Sequence, residues 1–148
     1  MKSVVELLQE LIRIPSVNPD GDPGTDQTGE KACAEFVGEF LRDSGAEVEL
    51  EEIEPGRPNV MGRFPGGSDD KPTILFGPHT DTVSVQGMTI DPFAAEIRDG
   101  RIWGRGASDT KGSMAAMLWA LREMKDEIPT LPAKVMFVGF MSEESSQF

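Results

Sequence analysis

The chain has one cysteine, one histidine and little basic character, and each scarcity excludes something. Cys33 has no partner within the chain, so no internal disulfide forms. Lys and Arg number 14 against 26 Asp and Glu, a net charge of -12, and no basic run interrupts that balance. Phosphate recognition needs clustered Lys and Arg, which argues against nucleic acid and anionic membrane surfaces as partners. No signal-peptide pattern and no apolar run of membrane length is visible, so a cytoplasmic location is the default expectation. What remains is globular in composition. With 148 residues, 38% of them hydrophobic and 27% charged, the chain is long enough for one domain with a core.

Apolar spacing divides the chain into alternating helices and strands. Val4, Leu7, Leu8, Leu11 and Ile12 fall on one helical face from Met1 to Arg13, with Ser3 and Glu6 in a capping-box pattern and Pro15 as the stop. The Pro-, Gly- and Asp-rich stretch from Ile14 to Gly29 reads as a loop. A second helix is expected from Gly29 to Ser44, with Gly45 just past its end and Cys33 in its apolar stripe as a core thiol. Strands are expected at Ala46–Glu52, Asn59–Phe64 and Ala133–Met141, and a short buried parallel strand at Thr73–Gly77. The segment from Gly66 to Pro72 is a turn. A hairpin is predicted with strands Ala94–Arg98 and Arg101–Trp103 about Asp99-Gly100, and a helix over Lys111–Lys125. This order predicts an α/β fold, three-layered with a mostly parallel central sheet. Ligands in such folds collect at the carboxyl ends of the strands.

Chemistry-bearing residues concentrate at those ends. His79 and Asp81 follow the strand at Thr73, Asp109 opens a helix, and Glu143-Glu144 follow the last strand. Each has a plain structural reading: a satisfied histidine, a helix N-cap, a solvated acidic pair. Together they would repel one another unless a cation sat among them. In H-x-D spacing the carboxylate can accept the proton on the ring nitrogen facing away from a metal. The stretch departs from a Walker loop because Lys111 precedes Gly112, and from a dinucleotide fingerprint because Asp109 stands where the third glycine belongs, which argues against a phosphate site. If Glu143 and Glu144 divide roles, one can bind a metal while the other takes a proton from water, which is the equipment for amide hydrolysis.

The order H-T-D-T-V, D-P-F, D-G-R-I-W-G-R-G-A-S-D-T-K-G and an apolar strand ending in S-E-E resembles a known family. It is the zinc-dependent amidohydrolase and exopeptidase family of acetylornithine deacetylase, succinyl-diaminopimelate desuccinylase, the aminoacylases and glutamate-releasing carboxypeptidases. The I-P-S-V-N-P and R-P-N-V stretches extend the resemblance over essentially the whole chain. It implies a zinc-exopeptidase-like fold in which His79 binds one zinc, Asp81 orients it, Asp109 bridges two metals and Glu144 binds the other. Glu143 is implied as the general base that activates water, and a cis peptide bond is implied between Asp109 and Thr110. Asp91, Phe93, Arg105 and Lys111 match scaffold positions. The implied cofactor is a pair of Zn2+ ions, with Co2+ as a substitute, and the implied substrate is an N-acyl amino acid or small peptide. By the same resemblance, residues 1–148 form the N-terminal portion of the catalytic domain, incomplete at its C-terminal side and without the lid or dimerisation domain. A homodimer is then an expectation for the full-length form. Two further ligands, an acidic residue and a histidine, are expected beyond Phe148, so each zinc would keep only two protein ligands here and bind weakly.

Overall fold

The structure is a computed structural model and describes residues 1–20, 26–68 and 70–145. Residues 21–25 of the expected loop and Asp69 of the expected turn lie outside these. The first helix, α1 (Val4–Arg13), starts where the spacing places it: Ser3 is its N-cap and accepts from the Glu6 backbone N–H. The Glu6 carboxylate completes the cap on the Lys2 N–H rather than on that of Ser3. The second helix, α2 (Lys31–Asp43), ends in a Schellman turn with Gly45 at φ 93°, its N–H bonded to the Arg42 carbonyl and that of Ala46 to the Leu41 carbonyl. Cys33 lies fully buried in the core, where burial pushes its thiol pKa up.

Strands β1 (Glu47–Glu54) and β2 (Arg57–Arg63) form an antiparallel hairpin that turns at Pro55-Gly56, with Gly56 at φ 75°. Next come β3 (Thr73–Phe76), the separate hairpin of β4 (Glu96–Arg98) and β5 (Arg101–Trp103), helix α3 (Lys111–Glu123), a short 3-10 turn (Ile128–Thr130) and β6 (Lys134–Gly139). The four-stranded sheet runs β1-β2-β6-β3. Only β3 and β6 are parallel; β2 pairs antiparallel with both β1 and β6. The α/β class holds, but the expectation of a mostly parallel sheet is corrected to a mixed one. The reason is local: Pro55-Gly56 is too short a connection for anything but an antiparallel pair, while the long segment containing α3 permits the parallel pairing.

All three helices join one buried cluster on one face of the sheet. Leu7 and Leu11 of α1, Val37 and Leu41 of α2, and Met114 and Leu118 of α3 meet Val60, Val135 and Phe137 there. Val135 and Phe137 share a face by strand alternation, and Val60 joins them through its pairing with Gly139. A second helical layer, part of the three-layer expectation, has no counterpart among the described residues. One strand departs further from expectation. β3 was predicted to be buried, yet Ile74 and Leu75 are about half exposed because β3 occupies the edge of the sheet, with β6 as its one partner among the described residues.

Candidate metal centre

Parallel pairing brings the carboxyl ends of β3 and β6 side by side, and it continues past both strands. The Phe140 N–H donates to the Pro78 carbonyl, and the Thr80 N–H donates to the Phe140 carbonyl at 2.7 Å. His79 therefore sits opposite Phe140, just before the Glu143-Glu144 pair. Asp109 arrives from the other side on the turn between β5 and α3. That turn is held by Arg105 N–H to the Pro92 carbonyl and Lys111 N–H to the Gly106 carbonyl. The Asp109–Thr110 peptide bond is cis, as the resemblance implied. Thr110, not Asp109, is the N-cap of α3, so the plain N-cap reading of Asp109 does not hold.

The two imidazole nitrogens of His79 face different partners. Nε2 lies 3.1 Å from Asp109 Oδ1 and 3.8 Å from Glu143 Oε2. Nδ1 lies 3.0 Å from the backbone carbonyl of Asp81 and 3.3 Å from its carboxylate. His79, Asp109 and Glu144 each offer one ligand atom within 4.8 Å of the others. Asp109 and Glu143 are exposed on their side chains, whereas His79 and Asp81 are buried. One imidazole nitrogen and two carboxylate oxygens are a donor set that suits zinc and related divalent cations. Ligands about 2.0–2.2 Å from a tetrahedral ion stand roughly 3.3–3.6 Å apart, so modest side-chain rotation would bring the three atoms to coordination distance. The residues present fit a cation.

Charge is concentrated accordingly. Burial pulls the His79 imidazolium pKa down, but the hydrogen bonds to Asp81 and Asp109 and the charge of Asp81 outweigh it and raise the pKa to about 9. Burial would raise the Asp81 carboxyl, yet the bonds from His79, Asn18, Glu144 and Glu143 hold it below its ordinary value. Glu144 is raised, first by burial and then by the neighbouring Asp109, Asp81 and Glu143, with His79 opposing. A proton on His79 thus occupies the position that a cation would take.

Asp81 does more than the H-x-D spacing suggested. Its Oδ1 accepts the Glu143 N–H at 3.1 Å, and its Oδ2 accepts the Glu144 N–H at 3.0 Å and the Asn18 side-chain amide at 2.7 Å. It faces the imidazole and also holds the backbone of the Glu pair. Asn18, Glu30, Arg57, Asn59 and Ser142 were missed as site residues by sequence reasoning. Asn59 Oδ1 accepts the Met141 N–H, and the other four form a buried network beneath the pair. The available signal was a polar residue beside proline in N-P-D and R-P-N; Glu30 and Ser142 carried none. The scaffold positions have structural contacts: Asp91 accepts the Phe93 N–H, Arg105 donates to the Ser84 carbonyl, and Lys111 Nζ donates to the carbonyls of Leu11 and Ile14. Beside the cluster, Val83, Gly104–Asp109 and Glu144 line a cavity of about 330 Å³. A larger hollow of about 500 Å³, lined by residues such as Phe36, Asp43 and Arg122, includes none of the cluster residues.

A helix-backed mixed sheet with a histidine–carboxylate cluster at its strand ends has the layout of a metallopeptidase-type α/β domain. Residues 75–147 carry a domain of the peptidase family M20/M25/M40, whose family profile they match. The chain is 34% identical over 135 residues to succinyl-diaminopimelate desuccinylase of Delftia acidovorans, a match covering 87% of this chain and 33% of that protein. It is 30% identical over 151 residues to the Legionella pneumophila protein of the same name, covering 100% of this chain and 37% of that one. Among solved structures, an M20 family metallo-carboxypeptidase from Sulfolobus solfataricus superposes with a TM-score of 0.77 at 26% identity, covering 95% of this chain and 31% of that chain. The chain therefore spans about a third of the length of the curated relatives it matches. No helix among the described residues is long and apolar enough to cross a membrane.

Proposed function

We propose that this chain is the N-terminal portion of the catalytic domain of a cytoplasmic, zinc-dependent hydrolase that cleaves the amide bond of an N-acyl amino acid or small peptide. Desuccinylation or deacetylation of an amino acid is the first choice of reaction, and carboxypeptidase action the second. The observation that carries the reading is the convergence of His79, Asp109 and Glu144 within 4.8 Å, with Glu143 beside them. His79 and Glu144 would each hold one of two Zn2+ ions, and Asp109 would bridge them. The bound cations supply Lewis acidity toward the scissile carbonyl and toward water. Asp81 keeps the imidazole oriented through Nδ1. Glu143 is exposed, so its carboxylate is free to take a proton from the attacking water and pass it to the leaving amine. Further ligands, the groups that grip substrate and a homodimer interface would come from chain beyond this segment.

Calorimetric titration of the purified chain with Zn2+ tests the metal assignment. Wild type should bind, and His79→Ala and Asp109→Ala should each lose about tenfold or more in affinity. Equal affinity in all three would overturn it. In the longest protein that the reading frame encodes, Glu143→Gln should lower kcat on N-succinyl and N-acetyl amino acids by about 10²–10⁴ with metal retained. One observation favours a second reading, a non-catalytic module: among the described residues the cluster offers only three metal ligands, too few for two catalytic ions. Hydrolysis of these substrates by the 148-residue chain itself would end that reading.

A further inference from the structure

Beneath the Glu143-Glu144 pair, five segments distant in sequence bring polar side chains into the interior. Asn18, Glu30, Arg57, Asp81 and Ser142 are all buried. Arg57 forms a two-pronged pair with Glu30, Nε to Oε2 at 2.9 Å and Nη2 to Oε1 at 2.8 Å. Its remaining donors reach Asn18 Oδ1 at 3.3 Å and the carboxylates of Asp20 and Glu54. Asn18 in turn donates to Asp81 Oδ2 at 2.7 Å and to Ser142 Oγ at 3.3 Å.

The outcome of these contacts falls on one short stretch. Three consecutive backbone N–H groups, of Ser142, Glu143 and Glu144, donate to two buried carboxylates: the first to Glu30 and the next two to Asp81. Ser142 adopts φ 60°, a left-handed conformation that a residue with a side chain holds only when its surroundings enforce it. Buried ion pairs contribute little net stability compared with apolar packing of the same volume, so the arrangement calls for another role.

We propose that Arg57 and Asn18 are positioning residues for the Glu143-Glu144 pair. Arg57 holds the Glu30 carboxylate aimed at the Ser142 N–H, and Asn18 fixes the rotation of the Asp81 carboxylate so that its two oxygens receive the next two N–H groups. The backbone of the pair is thereby locked relative to His79, which the same Asp81 carboxylate contacts through Nδ1. The inference deepens the proposed function, because it assumes that Glu143 and Glu144 act at a cation beside His79.

The test uses the metal-free chain with Asn18→Ala, and with Arg57→Met combined with Glu30→Gln so that no buried charge is left unpaired. Arg63→Met, at the exposed Arg63–Glu49 pair, is the control. Amide hydrogen exchange should quicken about tenfold or more at residues 142–144 while α3 stays within about twofold of wild type, the pattern of local rather than global opening. The Co2+ absorption spectrum should change and Zn2+ affinity fall by about 10–100-fold in both variants, but not in the control. Unchanged exchange at 142–144, or exchange rising equally across the fold, would overturn the proposal. If the double variant does not fold, Asn18→Ala decides alone. Absence of Zn2+ binding by wild type, in this chain and in the longest protein that the reading frame encodes, would refute the proposed function instead, and the exchange data would still decide the clamp.

Discussion

His79 shows at the scale of one residue how the site depends on its surroundings. Its imidazole is buried between Asp81 on one nitrogen and Asp109 on the other, and without a cation its pKa rises to about 9. The unfolded value is about 6.5, so the folded state binds the proton more tightly. The resulting stability is fully present below pH ~6.5 and is lost as pH rises through about 9. Urea midpoints of the metal-free chain should therefore fall between pH 6 and 9.5, and His79→Gln should flatten that slope. Zinc must displace the same proton, so its affinity should climb over the same interval in a pH series of titrations. Asp81 has the opposite sign: its lowered pKa contributes stability above the ordinary carboxylate range, lost as pH falls through the folded value. His79, Asp81, Asp109, Glu143 and Glu144 were all legible as candidates because motif order is a property of the linear chain. Arg57 was not, because its partners Glu30 and Asn18 lie 27 and 39 residues away.

At the scale of elements, the turn before α3 and the helix itself fit with little clearance. A Cβ at Gly112 would stand 2.5 Å from the Ala107 carbonyl oxygen, a backbone atom that cannot swing aside. Gly112→Ala should cost about 1–3 kcal/mol, measured by thermal melting, and should weaken Zn2+ binding because the displaced turn carries Asp109. Lys111, fully buried one residue earlier, caps the end of α1 by donating to the carbonyls of Leu11 and Ile14. Lys111→Met leaves both carbonyls without that donor, and a loss of about 1–3 kcal/mol for each group left unsatisfied should appear in denaturant melts. The helices themselves were readable, since their spacing and caps are local: Ser3, Gly45 and the apolar stripes stand where the sequence places them. The sheet was only half readable. Strand positions followed from apolar runs, but the hairpin across Pro55-Gly56 was not recognised, and with it went the direction of two of the three pairings.

For the whole molecule, the consequence is an exposed apolar edge. β3 carries Ile74 and Leu75 half in solvent, with Val83 and Phe140 also exposed beyond its end. An uncovered strand edge is a template for pairing with another chain. Sedimentation velocity of the 148-residue chain should show association that grows with concentration, and Leu75→Lys should reduce it; a monomer at all concentrations would refute this. Residue patterns by themselves determined the helices, the approximate strands, the membership of the five site candidates and the family likeness, because each rests on spacing within a short window. Only the tertiary structure decided the β1-β2-β6-β3 order, the exposure of β3 and the buried network of Asn18, Glu30, Arg57 and Ser142. Strand order, burial and the partner of a buried charge depend on which distant segments come to lie side by side, and no local window contains that information.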